Sequence, residues 1–356
     1  MDVLLSLPIA SYFFTTSLTS WSTSLNLLFF YMTWSTLILS HSPLKVEIIG
    51  TAAIRIIFWL LPSLVFLLFD TLLPSLIVSI KRNGSLALPP RDARSLASLF
   101  GLALVNLALT TGLEAGASLG LTVLLGEPPF RTSTTLPLPW QMVKHIVLLF
   151  ASREVWTYYI HRYILHSRSS GAAGSSPLQF RRFTTRQHAR FSHARRAPPF
   201  SLLLMADHPL PQLLHRFVPQ YLPAVLLSLS PRAIPLVGGT RVHLLTYFVF
   251  IALASAEETL ATSGYSIVPG IIMGGVARRT TTHHCCKADA AGNFGAWGVL
   301  DWVHGTTVGG DVMADVRDEA EKHGVGDAAG AVRDGINSAR KSARKRKGKK
   351  RDSGSE

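Results

Sequence analysis

Histidine is the residue type in this chain whose spacing could do chemistry. There are 13 histidines, and most fall between His161 and His284 in three groups. The first is His161 and His166 in YYIHRYILH. The second is His188 and His193 in RQHARFSH, with His208 close behind in ADHP. The third is the adjacent pair His283 and His284 in RRTTTHHCC. Neutral imidazole is a good ligand for iron and related metals, and carboxylate can supplement it. Three groups in one chain therefore predict a metal site assembled from separate segments. Five residues of α-helix turn through about 500°, so His161 and His166 lie about 140° apart on a regular helix. They meet on one ion only if the helix ends or bulges between them. Glu154 and Tyr158 share a helical face with His161 at i, i+4 and i+7, which makes Glu154 a candidate to orient a ligating ring from behind. Pro209 disfavours helix at His208 and puts that ring on a loop or a helix start.

Other chemistry-bearing residues have plainer readings. Cys285 and Cys286 are the two cysteines of the chain. Being adjacent, they cannot found a disulfide framework, and neighbouring residues chelate one zinc poorly. His145 and His243 read as interfacial, and His304 as a hydrogen-bonded structural residue. Trp156, Tyr158, Trp297 and Trp302 read as belt or packing aromatics. Asp70, Arg55 and Glu114 are ionisable groups inside apolar stretches and so expect partners within the membrane.

The elements that must position these residues are membrane helices. Hydrophobic residues make up 48% of the 356 and charged ones 16%, with mean hydropathy +0.29, well below the roughly 25% charge of soluble domains. This composition also excludes disorder for most of the chain. Spans of about 20 apolar residues are expected at Trp21–Ser40, within Ile48–Ile80, at Leu96–Leu125, at Met142–Tyr163 and within Val242–Val276. Ile48–Ile80 contains Arg55, Pro62 and Asp70 and reads as a broken helix or tight pair. If His215 and His283 face one side, residues 216–282 cross an even number of times, and a hairpin of Phe217–Ser230 with Leu244–Ile272 satisfies that. The loop Lys81–Arg94 and the arginine-rich stretch Arg162–Arg196 face the cytosol by the positive-inside bias. Ser167–Ser176 reads as a flexible Gly/Ser insert. The net charge is +14, and residues 340–356 hold nine Lys or Arg and two acids. That tail reads as a solvated end, with anionic lipid the favoured contact over nucleic acid. No nucleic-acid partner is expected, and no repeated pair of broken segments suggests a transporter.

At its histidine groups the chain resembles the fatty acid hydroxylase and sterol desaturase family. The resemblance covers Trp140 to Thr307. It rests on EVWTYYIHRYILH, DHPLPQLLHRF, SGYSIVP and, most specifically, GNFGAWGVLDWVHGT from Gly292 to Thr306. It implies an all-α fold: a polytopic transmembrane helical bundle with a cytosolic helical cap holding a histidine-rich metal site. It divides the chain into an N-terminal transmembrane region (1–135), a catalytic domain (136–310) and a polar basic tail (311–356). It further implies two non-haem iron ions, O2 as oxidant, and electrons from NAD(P)H through cytochrome b5 and its reductase as separate partners. The setting implied is the endoplasmic reticulum membrane.

Departures from the family pattern shape the ligand set. The second group has Ser192 before His193 where the family pairs histidines, the third begins at Thr280, and Thr262 stands where histidine often precedes SGY. Glu258, four residues before Thr262, is the carboxylate that could replace a nitrogen. The expected metal set is therefore His161, His166, His188, His193, His208, Glu258, His283 and His284, with Glu154 behind it. The implied function is oxygen-dependent hydroxylation or desaturation of a sterol or fatty acyl lipid. The alternative is a degenerate relative that binds lipid or scaffolds without catalysis.

Overall fold

The computed structural model describes residues 18–167, 176–229, 241–268, 273–286 and 291–322. The basic tail and most of the Gly/Ser insert lie outside the described residues. Within them every regular element is a helix, and two isolated bridges, Lys81–Tyr265 and Arg131–His243, tie loops to helix ends.

Helix α1 is Leu18–Ser40, and Pro43 opens α2, Pro43–Arg55, behind an extended Ser42. A π turn at Ile56–Leu60 carries α2 directly into α3, Leu61–Leu72. Pro62 thus sits just inside a new helical start, where its missing N–H and fixed φ are tolerated. It cannot donate to the Phe58 carbonyl, which accepts instead from the Thr259 hydroxyl at 3.2 Å. The break expected in this region falls later, at Leu73 (φ −123°, ψ 46°) before Pro74, which starts α4, Pro74–Ile80. A residue before proline is pushed out of the helical region.

Helix α5, Ala93–Leu125, is capped by the Asp92 carboxylate and stops at Gly126, whose φ of 74° is left-handed. Its buried face is narrow and mostly polar: Ala103, Asn106, Thr110, Glu114 and Ser118. The rest is apolar and outward, including Leu109, Leu113, Val123 and Leu124, as a helix in lipid requires. The ionisable residues find partners. Arg55 Nη1 donates to Glu114 Oε2 at 2.7 Å, Tyr247 donates to Glu114 Oε1 at 3.0 Å, and Lys81 reaches Asp70 at 2.8 Å.

Helix α6, Pro139–Ile160, ends in a second π turn, His161–Leu165. Then come α7 (Ser176–Phe191) and α8 (Pro209–Gln212), which runs through a third π turn, Leu213–Phe217, into α9 (Val218–Leu229). They are followed by α10 (Leu244–Thr262), α11 (Met273–Cys285), α12 (Val299–His304) and α13 (Val312–Lys322).

Among the described residues, three stretches are long and apolar enough to cross a bilayer: Pro43–Leu72, Ala93–Leu125 and Leu244–Thr262. The chain is a transmembrane helical bundle. The segment expected to return across the membrane before α10 falls on α9, the continuation of α8 through the third π turn, and it is not among those three stretches. Helix α9 carries Pro223 and is buried at Tyr221, Ala224, Val225 and Leu227, so it packs into the bundle interior. Its aromatic core includes Phe130 stacked on Tyr247 at 4.4 Å. The polar, arginine-bearing helices α7 and α11 gather where α6 ends.

Candidate metal centre

Local helix geometry brings His161 and His166 together. The π turn closes with His166 N–H donating to the His161 carbonyl at 2.9 Å, so one loop of backbone spans five residues rather than four. The two rings then lie 4.9 Å apart on the same side of the chain. The third π turn contributes His215, whose ring centroid is 4.2 Å from that of His161. Helix α7 supplies His188 near its C-terminus, and the turn after it supplies His193. Helix α11 supplies His283 and His284 in its last turn.

These seven rings form one cluster. His161 lies 5.3 Å from His188 and 4.5 Å from His283, and His166 lies 4.9 Å from His193 and 5.0 Å from His283. His284 borders His193 at 5.9 Å and His283 at 5.6 Å. The ligand nitrogens of His161, His166, His188 and His283 all fall within 4.8 Å of one another.

The outward nitrogens are tied down. His161 Nδ1 lies 3.0 Å from the Phe294 carbonyl, His283 Nδ1 2.7 Å from that of Gly292, and His193 Nδ1 3.3 Å from that of Cys286. His188 Nδ1 lies 2.6 Å from Asp207 Oδ2. A carbonyl can only accept, so each Nδ1 bonded to one carries the proton and each Nε2 offers a lone pair. Nε2 of His161, His188, His193 and His283 is buried with no hydrogen-bond partner. Four inward lone pairs without a donor are costly unless a cation takes them. Burial, reinforced by neighbouring histidines and, at His215, first by the Arg216 charge, pushes the pKa of His161, His215 and His283 well below the ordinary value. Burial brings His193 down to about 4. These rings are neutral near pH 7, the state in which imidazole binds metal. The donor set fits non-haem iron.

The closing segment Gly292–Thr306 acts as a bracket. Asp301 is fully buried and accepts from the N–H groups of Phe294 (2.8 Å) and Gly295 (2.6 Å) and from Thr306 Oγ1 (2.7 Å). This holds the Phe294 carbonyl that orients His161, while Asn293 N–H donating to the Thr306 carbonyl (3.1 Å) holds that of Gly292, which orients His283. Glu154 braces the same loop: its carboxylate accepts from the N–H groups of Trp297 (2.7 Å), Val299 (2.9 Å) and Leu300 (3.2 Å). Glu154 was expected to orient an imidazole directly, but the carbonyl of Phe294 takes that place. A carboxylate that accepts three backbone donors is already satisfied, so it acts on His161 through the loop. Gly295 allows the approach, since a Cβ there would lie 2.5 Å from Glu154 Oε1.

Two expected ligands stand apart. His208 caps α8, its Nδ1 accepting from Leu210 N–H at 3.3 Å, and its ring packs against Phe183 and Phe191. Pro209, which put it at a helix start, also turned it away from the cluster. Glu258 borders the site, but Oε1 accepts from Arg153 (3.1 Å), Arg216 (2.9 Å) and Gln220 (3.3 Å), and Oε2 accepts from Gln220 (3.2 Å). Its oxygens are held by nitrogen donors. His215, absent from the expected ligand set, is in the cluster. Its signal in the sequence was its place in DHPLPQLLHRF, eight residues after Asp207. His304 is a packing residue, stacked on Tyr158 at 5.0 Å. Cys285 and Cys286 are free thiols, half-buried.

A cavity of about 60 Å³ adjoins the cluster, lined by His161, His215, His283 and His284 together with Thr157, Thr262, Thr280 and the Arg153–Glu257/Glu258–Arg216 charges. A groove of about 560 Å³ reaches the cluster at His166 and Phe294. Another, of about 620 Å³, starts beside the N-terminus of α5 at Asp92 and Arg94 and reaches His284.

No solved structure matches this chain. Residues 146–306 match the family model described as fatty acid hydroxylase, and all seven clustered histidines lie within that range. The chain therefore contains a domain of the fatty acid hydroxylase family, built on a transmembrane helical bundle.

Proposed function

We propose that this protein is a membrane-bound, oxygen-dependent hydroxylase or desaturase of a sterol or fatty acyl lipid. The carrying observation is the set of four buried Nε2 atoms that point into one histidine cluster without partners. In this reading His161, His166, His188, His193, His215, His283 and His284 hold two non-haem iron ions. Bound iron supplies the activation of O2 that an unreactive lipid C–H bond demands and that ordinary side chains cannot provide.

The chain's own residues orient the rings through Asp207 and the Phe294 and Gly292 carbonyls. They also restrict water, with the rings of His161, His188, His193 and His283 at most 4% exposed. Electrons come from NAD(P)H through cytochrome b5 and its reductase, separate proteins. The arginine-rich cap and the basic tail face the cytosol from the endoplasmic reticulum membrane. The lipid enters a catalytic domain of residues 136–310 carried by the transmembrane region 1–135, with 311–356 as a tail.

A second reading, a non-catalytic lipid-binding relative, draws on Thr262 and Thr280. Both line the small cavity beside His161 and His215, where the family pattern has histidine. Lipid profiling of a knockout complemented with the wild-type chain or with His161→Ala/His166→Ala decides between them. Loss of one hydroxylated or desaturated lipid, restored only by the wild type, supports the oxygenase. Equal complementation by both supports the non-catalytic reading.

A further inference from the structure

Membrane spans generally bury apolar residues against one another, yet two spans here bury polar ones. Along α2 and its continuation, Glu47, Thr51, Arg55, Trp59 and Ser63 recur at every fourth position, each at most 3% exposed. Along α5, Asn106, Thr110, Glu114 and Ser118 do the same at no more than 2%. The stripes run antiparallel and face each other: Ser118 donates to Glu47, and Arg55, about two turns further along the first stripe, pairs with Glu114, about one turn back along the second. Polar groups inside a bilayer are expensive without partners, and ionisable ones there mark function.

Beyond the Arg55–Glu114 pair, four polar atoms of the stripes have no protein partner. Trp59 Nε1, Ser63 Oγ, Thr110 Oγ1 and Asn106 Oδ1 are all buried with no hydrogen-bond partner. Four such atoms on two facing helices is the pattern that internal water satisfies, each water bonding to two to four polar groups. This stretch leads to the metal centre. Asn106 Nδ2 donates to the carbonyls of Met205 (2.7 Å) and Asp207 (2.8 Å), and the Asp207 carboxylate meets His188.

We propose that ordered water fills this column and that the column supplies protons to the metal centre. The inference rests on the oxygenase reading. Hydroxylation converts a C–H bond and O2 to C–OH and water, taking up two electrons and two protons. Desaturation yields two waters from the same supply. The reduced pyridine nucleotide provides the electrons, and the protons must reach rings that are at most 4% exposed at His161, His188, His193 and His283. Water and the hydroxyls of Ser63 and Thr110 both donate and accept, so they pass a proton by exchanging roles. The Trp59 indole only donates and anchors a water in place.

X-ray hydroxyl-radical footprinting in ¹⁸O water, on the full chain in lipid nanodiscs, reads the water directly. Trp34 is the control: it is 5% exposed and its Nε1 donates to the Ser133 carbonyl at 2.9 Å. The expected result is ¹⁸O label on Trp59 well above that on Trp34. Thr110→Val with Ser63→Ala lowers the Trp59 label and leaves metal per chain unchanged. In the same variant, the share of reducing equivalents recovered in product falls about tenfold, with peroxide released. Trp59→Phe is the fallback should that pair not fold, with the same loss of coupling expected. Label on Trp59 no higher than on Trp34 overturns the water column. Label lost with coupling unchanged overturns the proton role. Protein that carries no metal overturns the oxygenase reading and the proton role with it, while the footprint still reports the water.

Discussion

His188 Nδ1 and Asp207 Oδ2 lie 2.6 Å apart, both buried, and the main chain of Asp207 is itself held by the Asn106 amide of a membrane span. A ring of the histidine cluster is thus positioned from the bundle interior through two successive hydrogen bonds. Removing such a supporting carboxylate costs about 10–100-fold in metal affinity. Asp207→Asn is expected to weaken metal retention against a chelator by that order while the protein stays helical. Retention equal to wild type would show that Asp207 does not set the ring.

His215 and His208 separate by role. His215→Ala is expected to lower metal per chain as much as His283→Ala does. His208→Ala removes a helix cap, costing about 1 kcal/mol of stability, and leaves metal content intact. Elemental analysis beside a thermal melt of each variant checks this. Metal loss in His208→Ala with none in His215→Ala would reverse the assignment.

Glu154→Ala strips a partner from three backbone N–H groups of the bracket loop. The expected cost is about 1–3 kcal/mol, seen as a lower melting temperature in metal-free protein as well as loaded protein. Were Glu154 instead to act on an imidazole, metal affinity would fall with no change in the metal-free melt.

Breaking the Arg55–Glu114 pair leaves a buried charge uncompensated. Glu114→Gln is expected to destabilise by about 3–5 kcal/mol, and Arg55→Met/Glu114→Leu, which removes both charges, by less. Denaturant titration in detergent compares them. A double variant worse than the single one would mean that the two residues serve other partners.

The buried rings also set a pH dependence. His193 is held at about 4 in the folded chain against about 6.5 when unfolded, so the unfolded state binds more protons between those values. Stability of the metal-free protein is therefore full above pH 6.5 and falls as pH drops toward 4, with His161, His215 and His283 shifted in the same direction. Melts of metal-free protein from pH 7.5 to 4.5 give the slope. A flat profile would mean that these rings are solvated.

Much of this arrangement was legible in the sequence. Apolar length announced spans at Leu96–Leu125 and within Val242–Val276, where the structure has Ala93–Leu125 and Leu244–Thr262, and the three histidine groups announced a shared centre. The five-residue gap between His161 and His166 required a bulge, and the backbone supplies one as a π turn. Glu258 was drawn to the site by its spacing, but whether a carboxylate meets metal or arginine depends on what faces it from α6 and from the turn that carries Arg216. His215 was passed over because it falls outside the three histidine groups. Its neighbours in the cluster come from other segments, and it enters through a π turn of its own. Asp301 stands inside GNFGAWGVLDWVHGT, but nothing in its spacing shows that it gathers the N–H groups of Phe294 and Gly295.

The most direct test of the central claim is metal stoichiometry by elemental analysis on detergent-purified protein, beside His161→Ala/His166→Ala. The account predicts close to two iron (or substituted zinc) per chain, lost in the variant while helicity is kept. Well-folded wild-type protein with no metal above background would contradict it.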